Sequence, residues 1–486
     1  MENKIKILKS TNFGERIAEQ ETSELANYFL KTYLWEQIMD DEIDIVFGCK
    51  GSGKSALYNY LENQSDNIFE KNGILALAEN PRGTLAFKGL NTSPPTGESE
   101  FKSIWKLYFV LIAYQKLLEY DCDDKYMKIV MEKLQQSNLI PRRPGFTYLV
   151  KMVRDYVDRF TLEPNVSLND TTGLIDNVGV KISLGEPSVQ SADKGVVSVD
   201  YLLECLNNSL EKSGFKVWIA IDRLDAIFQE NFMLEATALK TLFQVYIDLM
   251  QYENIRLLIF FRDDIWNRII DNGFRESSHL TKKELILWDE GSLFHLIVSR
   301  LTKNEELILE MGYTKDQLEN KEKQTEFFYS IFPKETERNG EFNFKWLLTK
   351  IEDGNGNISP RELIHLLNSS IKQEIKKVTE NGDEQYDYLI SEESIWKALK
   401  QVSKTKLDTV LSEYPKLKPF INRLKGKKVS SNFEELKSYW EISKKDTKII
   451  IENLIKIGVI WNKNENKAGK KDLYSIPTLY RGGLGY

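Results

Sequence analysis

Residues 48–55, Gly-Cys-Lys-Gly-Ser-Gly-Lys-Ser, are the feature of this 486-residue chain that most limits what it can fold into. They fit the pattern G-x-x-x-x-G-K-[ST]. The segment follows a β-branched and aromatic run, Ile43–Phe47, and precedes a helical run, Ala56–Leu61. A loop of this spacing between a strand and a helix is typical of phosphate-binding loops. The pattern therefore predicts an α/β fold with a parallel sheet, of the P-loop NTPase class.

The residue types in this loop suit a nucleoside triphosphate. Glycines permit backbone angles that other residues resist, and they leave room for phosphates. Backbone N–H groups then converge on the anion at the start of a helix. We expect Lys54 to contact the β- and γ-phosphates and Ser55 to bind Mg²⁺. The predicted ATP contacts are Gly48, Gly51, Ser52, Gly53, Lys54, Ser55 and Ala56. The alternative is a loop that keeps the pattern without binding nucleotide.

A second apolar run, Val217–Ile221, is too short for a helix and ends in Asp222. Asp222 is the predicted second metal ligand beside Ser55; the alternative is an ordinary strand-end aspartate. Many related sites place a glutamate after this aspartate to orient the attacking water, and here that position is Arg223. The next acid, Asp225, is either the water-positioning base or a helix cap. The sequence therefore supports nucleotide binding more firmly than hydrolysis.

A third apolar run, Leu257–Phe261, ends in Arg262. In additional-strand ATPases this strand end places a polar residue near the γ-phosphate, so Arg262 is the predicted sensor. A salt bridge to a neighbouring acid is the alternative. Arg268 and Arg275 are candidates for an arginine supplied to a neighbouring subunit.

From about residue 285 onward, helical patterns dominate. Ser359 and Pro360 fit the N-cap and first position of a helix. Arg361 then lies in the first turn; the alternative to a functional role is a surface arginine.

The end of the chain has a separate pattern. Residues 432–441 and 444–457 are predicted helices, and residues 459–461 and 473–476 are predicted strands, which together indicate a winged helix. Residues 421–486 carry 14 Lys and Arg against 7 Asp and Glu, although the whole chain has a net charge of −7. Lysines at the start of the second helix would enter a major groove, and lysines of the wing would contact phosphates. These are Lys444, Lys445, Lys448, Lys463, Lys467, Lys470 and Lys471. Duplex DNA is therefore a predicted partner, with protein contact as the alternative.

Several classes of protein are disfavoured. The apolar runs are much shorter than the ~18 residues of a membrane span, and the N-terminal segment has no long apolar stretch, so neither a membrane protein nor a secreted one is expected. The three cysteines and three histidines show no disulfide or zinc spacing, which favours the cytoplasm. No nuclease, protease or deaminase signature is present, so any such chemistry would come from a separate effector protein.

Taken in order, these segments resemble the bacterial AAA+/STAND-like P-loop ATPases, and within them a family first named from a cyanobacterial hypothetical protein. The resemblance rests on residues 18–32 ahead of the loop, on Asp222–Asp225, and on the chain end, Ile476–Arg481. It implies that Lys54, Ser55 and Asp222 bind Mg-ATP, that Arg262 senses the γ-phosphate, that Arg361 is a lid arginine, and that the protein forms a homo-oligomer. Arg223 departs from the family pattern. So does the interval of 168 residues between Lys54 and Asp222, which predicts a helical insertion.

The predicted division of the chain is 1–75 for an N-terminal helix and the start of the ATPase core, 76–200 for a helical insertion, 201–284 for the rest of the core, 285–420 for a helical lid and linker, and 421–486 for the winged helix. Within it, residues 14–39, 101–120 and 146–160 are predicted helices, and a small hairpin is predicted around residues 178–184.

The leading function is an ATP-dependent switch or motor acting on nucleic acid, with bacterial genome defence suggested by the resemblance. The alternatives are a nucleotide-locked signalling scaffold with little turnover, which recruits an effector, and a loader like a replication initiator.

Overall fold

The computed structural model describes residues 2–15, 29–78, 98–136, 182–183, 197–224, 232–271, 273–336, 340–341, 343–382, 388–465 and 471–486. The chain divides into two compact units. The sheet unit comprises Lys31–Gly48 and Lys54–Ile286, and the helical unit comprises Met1–Leu30, Cys49–Gly53 and Leu287–Tyr486.

The strands are β1 (Ile45–Gly48), β2 (Gly73–Leu77), β3 (Ile182–Ser183), β4 (Val197–Ser198), β5 (Lys216–Ile221), β6 (Ile255–Arg262), β7 (Lys283–Leu285), β8 (Glu335–Thr336), β9 (Gly340–Glu341), β10 (Ser430–Ser431), β11 (Trp461–Asn462) and β12 (Tyr474–Ser475). The helices are α1 (Glu2–Ser10), α2 (Tyr33–Met39), α3 (Lys54–Glu62), α4 (Ser65–Glu70), α5 (Glu98–Glu119), α6 (Lys125–Gln136), α7 (Val199–Ser213), α8 (Phe232–Leu249), α9 (Asp263–Asp271), α10 (Glu290–Leu301), α11 (Glu305–Glu310), α12 (Lys321–Ile331), α13 (Phe344–Ile351), α14 (Pro360–Asn381), α15 (Glu392–Glu413), α16 (Lys418–Asn422), α17 (Phe433–Trp440), α18 (Lys444–Lys456) and α19 (Thr478–Leu484).

The sheet unit is built on a five-stranded parallel sheet in the order β2-β5-β6-β1-β7. The three strands predicted from apolar runs, β1, β5 and β6, are all present, and they are buried on both faces because helices cover the sheet. Helices α5, α7 and α8 supply much of the apolar core. β6 lies between β1 and β5, so an additional strand separates the strand before the glycine-rich loop from the strand before Asp222.

A buried ion cluster lies at the amino end of the sheet. The guanidinium of Arg256 on β6 bonds to Asp44 Oδ1 at 2.7 Å and to the backbone carbonyls of Ile38 and Ile43 at 2.8 and 2.7 Å. It also lies 4.3 Å from the ring centroid of Trp218. Because every charge in the cluster has a partner, the cluster holds the segment before β1 against the sheet.

The helical unit has its own apolar core, to which α10, α12, α14 and α15 contribute. Its C-terminal part contains α17, α18 and a three-stranded antiparallel sheet in the order β10-β12-β11. Ser443 caps α18 by accepting a hydrogen bond from Asp446 N, and Gly458 follows the helix with φ +71°. This is a winged helix, so the predicted fold class is confirmed: an α/β core with a parallel sheet and added helices, a helical lid region and a C-terminal winged helix.

The loop before α14 lies against the winged helix. Gly354 N donates to Gly458 O at 2.7 Å, and Asn355 Nδ2 donates to Lys456 O at 3.2 Å. A β-carbon at Gly354 would lie 2.6 Å from Ile460 O, so the two backbones are in direct contact.

Three local predictions had other outcomes. Within the helix predicted over residues 14–39, Tyr33–Met39 is helical, whereas the other described residues, 14–15 and 29–32, are not; Thr32, with an extended backbone, is the N-cap at which this helix begins. Ile182–Ser183 pairs in parallel with Val197–Ser198, and the other residues of the hairpin predicted around 178–184 lie outside the described residues. The predicted helix at 146–160 lies outside the described residues. In the described part of the chain, no helix has the length and hydropathy needed to cross a bilayer.

We expect Asp44→Ala to lower the free energy of unfolding of the sheet unit by about 1.5–3 kcal/mol, because it removes the more buried of the two carboxylates that pair with Arg256 and leaves Asp41, 3.0 Å from Nε, as the remaining acidic partner. The matched control is Asp40→Ala, which removes an exposed ion pair with Lys71 at 3.2 Å and should cost less than about 1 kcal/mol. Urea unfolding followed by tryptophan emission measures both. If both variants lower the free energy of unfolding equally, the buried cluster contributes no more to stability than an exposed ion pair.

Candidate functional site

Three of the residues predicted to contact a nucleotide, Gly48, Asp222 and Arg262, lie at the ends of neighbouring strands of the parallel sheet. Strands β1, β6 and β5 are parallel neighbours, with Gly48 opposite Arg262 and Ile221 opposite Ile259. Their carboxyl ends therefore share an edge. Adjacent strands are about 4.8 Å apart, so Asp222, directly after β5, lies roughly 10 Å across the sheet from the end of β1. A carboxylate, a metal ion and a hydroxyl can together span such a gap.

The loop after β1 has the backbone that its glycines permit. Gly51 has φ +87° and Gly53 has φ +105°, both in the region that favours glycine. Ser52 N donates to Cys49 O at 3.1 Å, which closes the turn. The Ser52 hydroxyl is buried, and its oxygen has no hydrogen-bond partner among the described residues.

Lys54 is the first residue of α3, and it is buried although it is charged. Its Nζ donates to Gly48 O at 2.7 Å, which folds the side chain back along the loop. Ser55 and Ala56 follow in the first turn of α3.

Side chains of the helical unit hold three consecutive loop residues. Trp288 Nε1 donates to Ser52 O at 2.7 Å, and Ser359 Oγ donates to Gly51 O at 3.0 Å. Lys50 forms an ion pair with Glu413 at the end of α15.

Arg361 also lies at this loop. Ser359 caps α14 by accepting a hydrogen bond from Arg361 N at 3.2 Å, and Pro360 occupies the first turn, as predicted. A β-carbon built on Gly51 would lie 2.9 Å from Cβ of Arg361. The structure thus brings Arg361 and the glycine-rich loop together, 310 positions apart in the sequence.

Asp222 is buried, in keeping with its position directly after a central strand. Arg223 follows with φ +58°, an uncommon angle for a residue with a side chain. Its Nε lies 4.0 Å from Asp222 Oδ2, so an arginine adjoins the proposed metal ligand. Asp225 lies outside the described residues.

At the end of β6, Arg262 forms the salt bridge that the sequence left open as the alternative. Its Nε and Nη2 bond to the two carboxylate oxygens of Asp264, each at 2.9 Å. The intervening residue, Asp263, lies within electrostatic range of Lys54. Burial raises the pKa of the Asp263 carboxyl, and Asp264 raises it further, whereas the Lys54 ammonium lowers it.

The sequence predicted Arg262 at this strand end. It did not predict three residues that lie near the loop or this strand end, namely Asp263, Trp288 and Glu413. The signal for Asp263 was its position directly after β6. Trp288 and Glu413 carry no local signal, because their contacts depend on the tertiary fold. Arg268 lies in the last turn of α9, and Arg275 is exposed in a short 3₁₀ helix; their roles as trans-acting arginines stay predictions.

These residues fit a magnesium-bound triphosphate. The loop offers left-handed glycines, a buried hydroxyl at Ser52 and a buried ammonium at Lys54. Mg²⁺ in such sites needs only one or two protein oxygens, because phosphates and waters complete its shell. Ser55 and Asp222 could provide those oxygens.

No protein-family model matches the chain, and no curated protein matches it in sequence. Among solved structures, it is similar to the Aeropyrum pernix ORC2 protein in ADPNP-ADP complexes, with 14% identity, a TM-score of 0.39, and coverage of 97% of this chain and 92% of that one. It is also similar to the Aeropyrum pernix ORC1 protein in complex with DNA, with 10% identity, a TM-score of 0.34, and coverage of 95% and 92%. These scores are low, so the function proposed below rests on the residues of this chain.

We expect Gly51→Ala to destabilise the helical unit more than Gly426→Ala does. Both glycines have positive φ, so both variants meet a backbone cost of about 1–2 kcal/mol. The added methyl group at position 51 would also clash with Ser359 Oγ, which would lie 2.5 Å away. At position 426 no atom would lie within 4 Å of the added methyl group. Overpacking adds about 1–3 kcal/mol. Denaturant unfolding compares the two, and equal losses would contradict the close contact.

Proposed function

We propose that this protein is a P-loop ATPase of the AAA+ class that binds Mg-ATP and acts as a nucleotide-dependent switch on DNA. One observation carries the nucleotide part. A loop with left-handed Gly51 and Gly53 leads from a parallel strand into a helix whose first residue is a buried lysine, Lys54. That arrangement suits a bound polyphosphate and has no evident use without one.

The residues take separate parts in this proposal. Backbone N–H groups around Gly51–Gly53 and the Lys54 ammonium bind the phosphates. Ser55 and Asp222 hold Mg²⁺, which neutralises phosphate charge when bound. Arg361, placed beside Gly51, is the proposed lid arginine, and Arg262 is the proposed γ-phosphate sensor.

Turnover is expected to be slow. Arg223 stands where related sites have the water-orienting glutamate, so a general base must come from elsewhere. Asp225 is the base that the sequence suggests, and Asp263, which lies within electrostatic range of Lys54, is a second carboxyl at the same edge. A slow ATPase would also suit the alternative function, a nucleotide-locked scaffold that recruits an effector. Genome defence stays a prediction of the family resemblance, and homo-oligomer formation and a separate effector stay predictions from the sequence.

The DNA part rests on the winged helix. Lys444, Lys445 and Lys448 are exposed at the start of α18, the helix that would enter the major groove. In the wing, Lys471 is exposed, whereas Lys467 and Lys470 lie outside the described residues. The net charge of +7 in residues 421–486 favours an anionic partner.

We expect Lys54→Ala to weaken ATP binding by about 10- to 100-fold, because it removes a charge-assisted contact to phosphate. Lys71→Ala, which changes an exposed lysine of the same unit paired with Asp40, is the matched control. Calorimetric titration with ATP and Mg²⁺ measures both. An unchanged affinity in Lys54→Ala would remove the basis for every function proposed here.

We expect the double variant Lys444→Ala/Lys445→Ala to weaken DNA binding at all sequences. A plot of the logarithm of the DNA association constant against the logarithm of the salt concentration has a negative slope. Its magnitude should decrease by about 2, since each lost phosphate contact contributes about 0.9. Lys372→Ala/Lys376→Ala, which removes two exposed lysines of α14, should leave the slope unchanged. Fluorescence anisotropy over a salt series gives both slopes. If the wild-type protein shows no DNA affinity at low salt, the scaffold becomes the better proposal.

A further inference from the structure

Two consecutive carbonyl groups of the glycine-rich loop are held by side chains of the helical unit. Ser359 Oγ donates to Gly51 O at 3.0 Å, and Trp288 Nε1 donates to Ser52 O at 2.7 Å. The tryptophan contact is the shorter of the two. An indole has a single donor hydrogen and no acceptor, so this bond uses the whole polar capacity of Trp288.

Holding a carbonyl also fixes an N–H group. In a planar trans peptide, the C=O of one residue and the N–H of the next point in opposite directions. When Trp288 holds Ser52 O, it therefore aims Gly53 N–H away from the indole. The N–H of Ser52 is already bonded to Cys49 O at 3.1 Å, so within this stretch Gly53 N–H is the group whose direction Trp288 decides.

The peptide between Ser52 and Gly53 could rotate if nothing held it, because glycine restricts the backbone less than any other residue. Gly53 has φ +105°, and glycine populates several other regions about as readily. A flipped peptide would turn Ser52 O, a partial negative charge, to the side where Gly53 N–H now points. An anion there would then meet repulsion instead of a donor.

The indole itself is held in place. Trp288 is partly buried and packs against the core of the helical unit. The next residue, Asp289, caps α10 in a capping box with Ser292, which fixes the backbone directly after the tryptophan. The ring also lies 3.8 Å from the position that a β-carbon of Gly53 would occupy.

We propose that Trp288 is a positioning residue for the bound nucleotide: its indole N–H holds the Ser52 carbonyl so that Gly53 N–H is directed at the phosphates. This inference rests on the proposed ATP binding. The ligand class it serves is the polyphosphate of a nucleotide, since an oriented backbone N–H next to Lys54 recognises an anion and not a base.

The test is Trp288→Phe, which keeps an aromatic ring and removes the N–H. We expect ATP affinity to fall about three- to tenfold, as the loss of one hydrogen bond in the site implies. Trp396→Phe is the control, because it removes another indole N–H of the helical unit, bonded to Glu392 at 3.0 Å away from the loop. Its ATP affinity should equal that of the wild type. Titration calorimetry gives the affinities, and circular dichroism and thermal unfolding check that the variants are folded.

A second variant separates the hydrogen bond from the shape of the ring. Trp288→His replaces the indole with a smaller ring that still carries an N–H, so it should regain most of the affinity that Trp288→Phe loses. It also serves as the test if the phenylalanine variant does not fold. A histidine variant that is folded yet as weak as the phenylalanine variant would overturn the role of the N–H.

The two proposals fail in different ways. If Trp288→Phe binds ATP as tightly as the wild type while Lys54→Ala loses affinity, the role of Trp288 is wrong and the ATP site stands. If the wild-type protein does not bind ATP at all, the proposed function fails and this inference fails with it.

Discussion

The backbone of the loop after β1 is the constraint on which the proposed chemistry depends. Left-handed Gly51 and Gly53 allow a turn in which N–H groups point inward, but such a turn is also free to rearrange. The structure limits that freedom from outside, by binding the Gly51 and Ser52 carbonyls to side chains of the helical unit. Preorganised donors need no reorganisation when an anion arrives. In the proposed function, the loop sequence therefore supplies the donors, and residues distant in the sequence hold the loop in one conformation.

The sequence predicted those parts of the fold that have local signatures. The glycine-rich loop, the apolar runs of β1, β5 and β6, the Ser359–Pro360 helix start and the winged helix all follow from short patterns, and the structure contains each of them. The pairing of Arg262 with Asp264 was one of two interpretations, because strand-end geometry decides it. Trp288 and Glu413 could not be found, since residues more than 200 positions from the loop are brought to it only by packing.

The end of β5 combines two features that argue for a switch over a fast motor. Arg223 replaces the usual glutamate, and its backbone adopts a left-handed angle directly after the buried Asp222. An unusual backbone angle beside the proposed metal ligand is kept only where its surroundings hold it. Under the proposed function, the absence of the usual glutamate at position 223 predicts slow turnover, and a long-lived bound state is what a switch or a scaffold requires.

The contact between Gly354 and the winged helix has a mechanical consequence. The backbones of Gly354 and Gly458 touch with no side chain between them, joined by a hydrogen bond of 2.7 Å. Five residues after Gly354, Ser359 bonds to the glycine-rich loop. A close-packed contact of this kind transmits displacement instead of absorbing it. A displacement of the end of α18 would therefore act on residues 354–359, the same short segment whose Ser359 bonds to Gly51.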